Sequence, residues 1–332
     1  MTYTRFRTTS RVLQRLPAFG LSKPGLSKPG LSKLGLLALC LAAALPVFAA
    51  TPINQSRPID PLGSVEIDNV KGLIQVRAWD RPEVKIEGSL GEGVEKLEIE
   101  GDRENLSIKV RYPNRGSGMG LLAGGDKGEP TELRVTVPLR VKLEIDAVSA
   151  DVDVSGVASR ELSIDSVSGD VVVAGAPREA EIDSVSGDLR LTLNSSKVSA
   201  QTVSGDLELR GRLNGEVSVE TVSGKVDLVT RESSLNKLSG NSVSGDLRVA
   251  ASLGDGGEVS LETVSGDIRL TLPRSLSANV RGQSFSGDLR APDAQIQRPK
   301  HGPGSSFEHR YGNGSGKIKL ETFSGDATLE LN

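Results

Sequence analysis

The sequence predicts an all-β fold, a right-handed parallel β-solenoid of β-helix-like coils, and three observations predict it. A hexapeptide recurs: "DSVSGD" at 165 and 183, "QTVSGD" at 201, "ETVSGK" at 220, "NSVSGD" at 241, "ETVSGD" at 262, "QSFSGD" at 283, "ETFSGD" at 321, and a degenerate "DAVSAD" at 146. Its serines, from Ser149 through Ser168, Ser186, Ser204, Ser223, Ser244 and Ser265 to Ser286, stand 18 to 21 residues apart, a fixed period that signals a solenoid. Apolar residues alternate with period two on both sides of each hexapeptide, as in half-buried strands. The right hand is expected because parallel crossovers are almost always right-handed.

The chain opens with an address. Residues 1–49 hold Arg5, Arg7, Arg11, Arg15, Lys23, Lys28 and Lys33, no acidic residue, and then "LGLLALCLAAALPVFA", the pattern of a secretory signal peptide cut after Ala49. Pro46 interrupts an apolar run already short for a membrane anchor, so no transmembrane segment is expected in the mature chain. Lipidation at Cys40 is the lesser alternative, because a Leu rather than a small residue precedes it. The leader carries seven of the 40 basic residues and none of the 43 acidic ones, which leaves the mature chain near −10 and without cysteine. That charge argues against nucleic acid, whose phosphates require clustered Lys and Arg.

Residues 50–145 are expected to start the solenoid and cap its open end, with "VEIDNVKGLIQVRAWDRPEVKIEG" reading as one coil turning at Asn69 to Gly72. The Gly- and Pro-rich stretch 112–130 reads as a surface loop. Residues 146–332 are the repeat solenoid. Leu162 and Ile164, Ala180 and Ile182, Val198 and Ala200 form the inward column before the corner. Val171 and Val173, Leu189 and Leu191, Leu207 and Leu209 form the one after it. Counting inward from Ile182 through Ser184 and Ser186, the alternation slips by one at Gly187 and Asp188, so the backbone must bend there.

The structural corners are therefore Gly169, Gly187, Gly205, Gly224, Gly245, Gly266, Gly287 and Gly325, where glycine supplies a permissive dihedral. Between the corner and the strand, Ser166, Ser184, Thr202, Thr221, Ser242, Thr263, Ser284 and Thr322 should stack inward as a ladder of mutually bonded hydroxyls. The apolar residue between, from Val167 to Phe323, is expected to plug the corner, with an exposed docking ridge the alternative. Asp170, Asp188, Asp206, Asp246, Asp267 and Asp288 should line one edge. Calcium would relieve their repulsion, but one Asp per coil is sparse beside the Gly-rich nonapeptide of calcium β-rolls. Neutralisation is expected instead from Lys225, paired with both neighbours, and from Arg190, Arg248, Arg269 and Arg290. A second insertion, 291–316, breaks the period as a loop and contains both histidines, His301 and His309.

No catalytic residue is expected. The carboxylates are spread evenly rather than gathered as an acid and base, no G-x-S-x-G motif occurs, and the histidines share one loop. Few aromatic residues are present to stack on sugars. The V-S-G-D corners, the opening "NVKGLIQVRAWDRPEV" and the closing "GNGSGKIKLETFSGDATLEL" resemble the bacterial family described as putative adhesins with β-strand repeats, a domain of unknown function, over roughly 64–332. The resemblance implies an exported β-solenoid of the cell envelope, in the periplasm or at the surface, with no catalytic residues and no cofactor. The expected function is an adhesion or interaction scaffold for an envelope protein or polymer. The alternative is an envelope-stress accessory protein that binds a membrane partner, and a polysaccharide-active β-helix enzyme is the third reading.

Overall fold

A computed structural model of the protein describes residues 51–113, 128–232 and 234–332. Residues 1–49, expected to be a leader and including Cys40, and most of the loop expected at 112–130 lie outside the described residues. Every regular element among them is a β-strand.

The alternation read from the sequence becomes a stack of parallel coils. The strand Glu179–Ser186 buries Ala180, Ile182 and Ser184. It lies between Glu161–Ser168 on one side and the second half of Leu189–Ser204 on the other, with Ile182 opposite Ile164 and Ala200. After the corner, Leu189 stands opposite Val171 and Leu207. The same apolar position thus meets itself from coil to coil, so one continuous hydrophobic column forms without large side chains having to interdigitate. Leu162, Ile164, Ile182, Leu189, Leu209, Val219, Leu228 and Leu261 are completely buried within it.

Toward the N-terminal end, Ser64–Trp79 runs parallel to Lys142–Ser155, from Ser64 opposite Lys142 to Arg77 opposite Ser155. Asn69, Lys71 and Gly72 stand opposite Ala147, Ser149 and Ala150, so this segment turns its corner in step with the repeats. Asn69 is buried and closes the turn by donating from Nδ2 to the Lys71 carbonyl at 2.8 Å. The remaining pairings here include antiparallel ones, Thr51–Pro58 with Glu83–Leu90 and Lys96–Gly101 with Asn105–Arg111.

The C-terminal end departs from a simple sequential stack. The insertion 291–316 is not only a loop: it contains Ser305–Tyr311, which pairs antiparallel with Ala278–Ser286. The ring of Phe307, 2% exposed, occupies the space that a side chain at Gly282 would need, and this anchors the added strand. The last coil strand, Gly316–Ser324, then inserts between two earlier ones. Its Thr322 stands opposite Thr263 of Leu253–Thr263 and opposite Ser284 of Ala278–Ser286.

Candidate interaction surface along the corners

Each corner glycine rests on the corner before it. A Cβ at Gly187 would strike the carbonyl of Gly169, one at Gly205 that of Gly187, and one at Gly224 that of Gly205. The same contact continues through Gly245, Gly266, Gly325 and Gly287, while Gly169 meets Ala150. The backbone is left-handed at four of the eight, with φ of 137° at Gly169, 138° at Gly187 and 150° at both Gly205 and Gly224. The dihedral argument therefore covers half the column, and close stacking of backbone on backbone accounts for all of it. The slip in alternation is also broader than the sequence suggested: Ser186, counted inward, is exposed, and the register passes over Val185.

The aspartates are satisfied by the coil that follows. Asp170 Oδ1 accepts the Asp188 amide at 3.1 Å, Asp188 Oδ1 the Asp206 amide at 3.1 Å, and Asp206 Oδ1 the Lys225 amide at 2.9 Å. Asp246 likewise accepts from Asp267 at 3.1 Å, Asp267 from Asp326 at 2.9 Å, and Asp326 from Asp288 at 2.8 Å. Two members escaped the sequence reading. Asp326 links Asp267 to Asp288, and Asp151 accepts the Asp170 amide at 3.0 Å, so the degenerate hexapeptide keeps its carboxylate. The amide of Asp188, with help from Arg190, holds the Asp170 carboxyl below its usual range.

The cations behave less uniformly than expected. Arg190 bridges Asp170 at 3.2 Å and Asp188 at 2.8 Å, Arg248 pairs with Asp246 at 2.8 Å, and Arg290 reaches Asp326 at 3.8 Å. Arg269 instead faces Glu330 at 3.6 Å. Lys225 pairs with neither neighbouring aspartate. Its contribution to the edge is its backbone amide, which any non-proline residue supplies.

The hydroxyl column is buried as expected, from 3% exposure at Thr202 to 6% at Thr263. It does not bond mutually. The side-chain oxygens of Ser166, Ser184, Thr202, Thr221, Ser242 and Thr263 have no partner, whereas Ser284 donates to the Gly325 carbonyl at 3.1 Å and Thr322 to that of Gly266 at 3.4 Å. At strand spacing of about 4.8 Å, two hydroxyls on facing coils are too far apart to bond directly.

The residue between hydroxyl and corner is not a plug. Val148, Val167, Val185, Val203, Val222, Val243, Val264, Phe323 and Phe285 follow one another along the coils as a ridge, each between 43% and 56% exposed. Phe285 and Phe323 stack face to face. There the ridge enters a groove of about 930 Å³ whose other wall includes Pro299 and Pro303 of the insertion. The two histidines of the insertion differ: His301 is exposed, and His309 packs edge-on against Tyr311 at 4.5 Å.

One flat face of the stack is acidic. Asp68, Asp146, Asp165 and Asp183 occupy successive coils in register. Asp183 Oδ1 is buried without a partner. Burial, and then repulsion from Asp165, push the carboxyls of Asp146 and Asp183 above their usual range. Among the described residues, no group of three His, Cys, Asp or Glu side chains is placed to hold a metal ion. Among the same residues, no helix is long and apolar enough to cross a membrane.

Solved structures match the chain at low identity and low TM-score. A putative adhesin from Bacteroides fragilis shares 12% identity, with 86% of this chain and 98% of that chain covered at a TM-score of 0.43. A putative lipid binding protein from Parabacteroides distasonis shares 13%, with 83% and 96% covered at a TM-score of 0.44. A putative cell adhesion protein from Clostridium sporogenes shares 12%, with 85% and 100% covered at a TM-score of 0.20. Among curated proteins, none matches the sequence. The Toastrack DUF4097 family matches residues 63–330, nearly the whole of the coiled region, and the chain belongs to that family.

Proposed function

We propose that this protein is a non-enzymatic, exported scaffold of the cell envelope that binds an envelope protein along its corner ridge. The carrying observation is the continuous line of half-exposed apolar side chains from Val148 to Phe285. Single exposed apolar residues are ordinary on a protein surface, but a contiguous line of them marks an interaction site. Its members are mostly branched aliphatic, which suits apolar side chains of a protein better than sugar rings, for which aromatic platforms are needed. The basic, acid-free leader supports export, and the even spread of carboxylates along the coils supports a role outside catalysis. In this reading the coils are right-handed, residues 50–145 cap the stack, and the aspartate edge serves the corner rather than calcium. Purified protein should bind washed cell envelopes, and a triple substitution, Val185→Thr, Val203→Thr and Val222→Thr, should abolish that binding while the circular dichroism is unchanged. Undiminished binding by the folded triple variant would sink the proposal.

A further inference from the structure

At the other end of the strands that lead into the Ser-Gly-Asp corners lies a second feature, unrelated to the ridge. A cavity of about 670 Å³ opens where successive coils enter those strands, and no residue lining it is acidic. Its walls include Arg140, Arg160, Arg178 and Arg212, in a chain whose formal net charge is −3. Coil stacking brings these cations together. Glu179 stands opposite Glu161 and its amide donates to the Arg160 carbonyl, so Arg178 and Arg160 are neighbours on adjacent coils. Like charges at strand spacing repel unless something of opposite sign lies between them.

Two cations at the margin already have such a partner: Arg212 pairs with Glu232 at 2.7 Å and Lys142 with Glu161 at 2.9 Å. The guanidinium groups of Arg140, Arg160 and Arg178 have none among the described residues. An independent observation comes from Ser159, which lines the same cavity. It is 1% exposed and its Oγ has no hydrogen-bond partner. A buried hydroxyl without a partner is costly, and a bound oxyanion would supply the missing acceptor. The neighbouring Ser195 is already satisfied, donating to the Arg178 carbonyl at 2.9 Å.

We propose that this cavity binds a phosphoryl group. Three planar guanidinium forks and a hydroxyl offer more donors than the two oxygens of a carboxylate can accept, and a tetrahedral group with three terminal oxygens uses them. The phosphoryl group reaches the site either as a soluble phosphate or on a lipid headgroup.

Titration calorimetry of the purified protein with inorganic phosphate tests the site, alongside flotation with vesicles of phosphatidylglycerol against phosphatidylcholine. Saturable uptake of phosphate is expected, weakened about tenfold or more in the double variant Arg160→Ala, Arg178→Ala, and recovered in part by Arg160→Lys, Arg178→Lys, which restores charge without the fork. Ser159→Ala should weaken phosphate binding while the unliganded protein melts no lower than the wild type, a combination that a merely structural serine would not give. Phosphate uptake without vesicle binding assigns a soluble ligand. Selective recruitment to phosphatidylglycerol that the double variant abolishes assigns a headgroup, and either result upholds the site. Absence of both, or binding of either probe that the folded double variant retains, overturns it.

Discussion

The Asp188 amide donates to Asp170 Oδ1 at 3.1 Å while Arg190 lies 3.2 Å from the other oxygen of the same carboxylate. One aspartate therefore joins two coils through the backbone and is neutralised by a side chain of the next coil. The amide bond repeats along the corner, and a next-coil cation joins it again where Arg290 reaches Asp326 at 3.8 Å.

Carboxylates occupied in this way have little left for a cation. Thermal unfolding followed by circular dichroism should give the same midpoint with millimolar calcium as with a chelator. A midpoint that climbs with calcium would make the edge a ligand array, since a ligand bound only by the folded state raises its stability.

Gly205 separates two effects that glycine substitutions usually mix. Its φ is 150° and a Cβ there would strike the Gly187 carbonyl, whereas Gly256, at φ 72°, has nothing within 4 Å of a Cβ. Gly256→Ala should cost about 1 kcal/mol for the left-handed backbone alone. Gly205→Ala should cost about 3 kcal/mol or more, because a coil must shift as well. Equal losses in denaturant titrations would show that backbone stacking is unimportant.

The unbonded hydroxyl column makes an unusual forecast. Thr202 is 3% exposed with no partner for Oγ1. Thr202→Val keeps the shape and removes the buried polar group, so it should stabilise the protein by about 1 kcal/mol. A loss of stability in chemical denaturation would mean that the hydroxyl has a partner after all.

The acidic face responds to pH in a defined direction. The Asp183 carboxyl is raised by burial and by Asp165. A raised carboxyl favours folding below the unfolded value of about 3.9, and that contribution is lost as pH rises through the folded value. Asp183→Asn should therefore raise the melting temperature at pH 7, with the gain shrinking as pH falls toward about 4. A gain that is constant across this range would contradict the repulsion. Asp170, held low by the Asp188 amide, acts oppositely: its contribution is present above the unfolded value and lost as pH falls.

Legibility along the chain followed how local each interaction is. The buried alternation of Ala180, Ile182, Leu189 and Leu191 was readable because side-chain direction in a strand depends only on position along it. Ser186 was misplaced because the corner breaks that rule two residues before its glycine. Asp151 was missed because its hexapeptide lacks the glycine, although its bond to the Asp170 amide depends only on the aspartate. The cations around Arg160 and Arg178 left no motif, since each belongs to a different coil.

By itself, then, the sequence determined the strand pattern, the period and the columns of like residues, because these follow from two-residue alternation repeated at a near-constant interval. Only the tertiary structure decided which coil lies beside which. Phe285 and Phe323 stack with ring centroids 4.6 Å apart because Gly316–Ser324 slips between Leu253–Thr263 and Ala278–Ser286. Nearly identical hexapeptides cannot specify their own neighbours. The order is set instead where the pattern lapses, by an insertion whose Phe307 fills the space above Gly282 and carries the chain back into the stack.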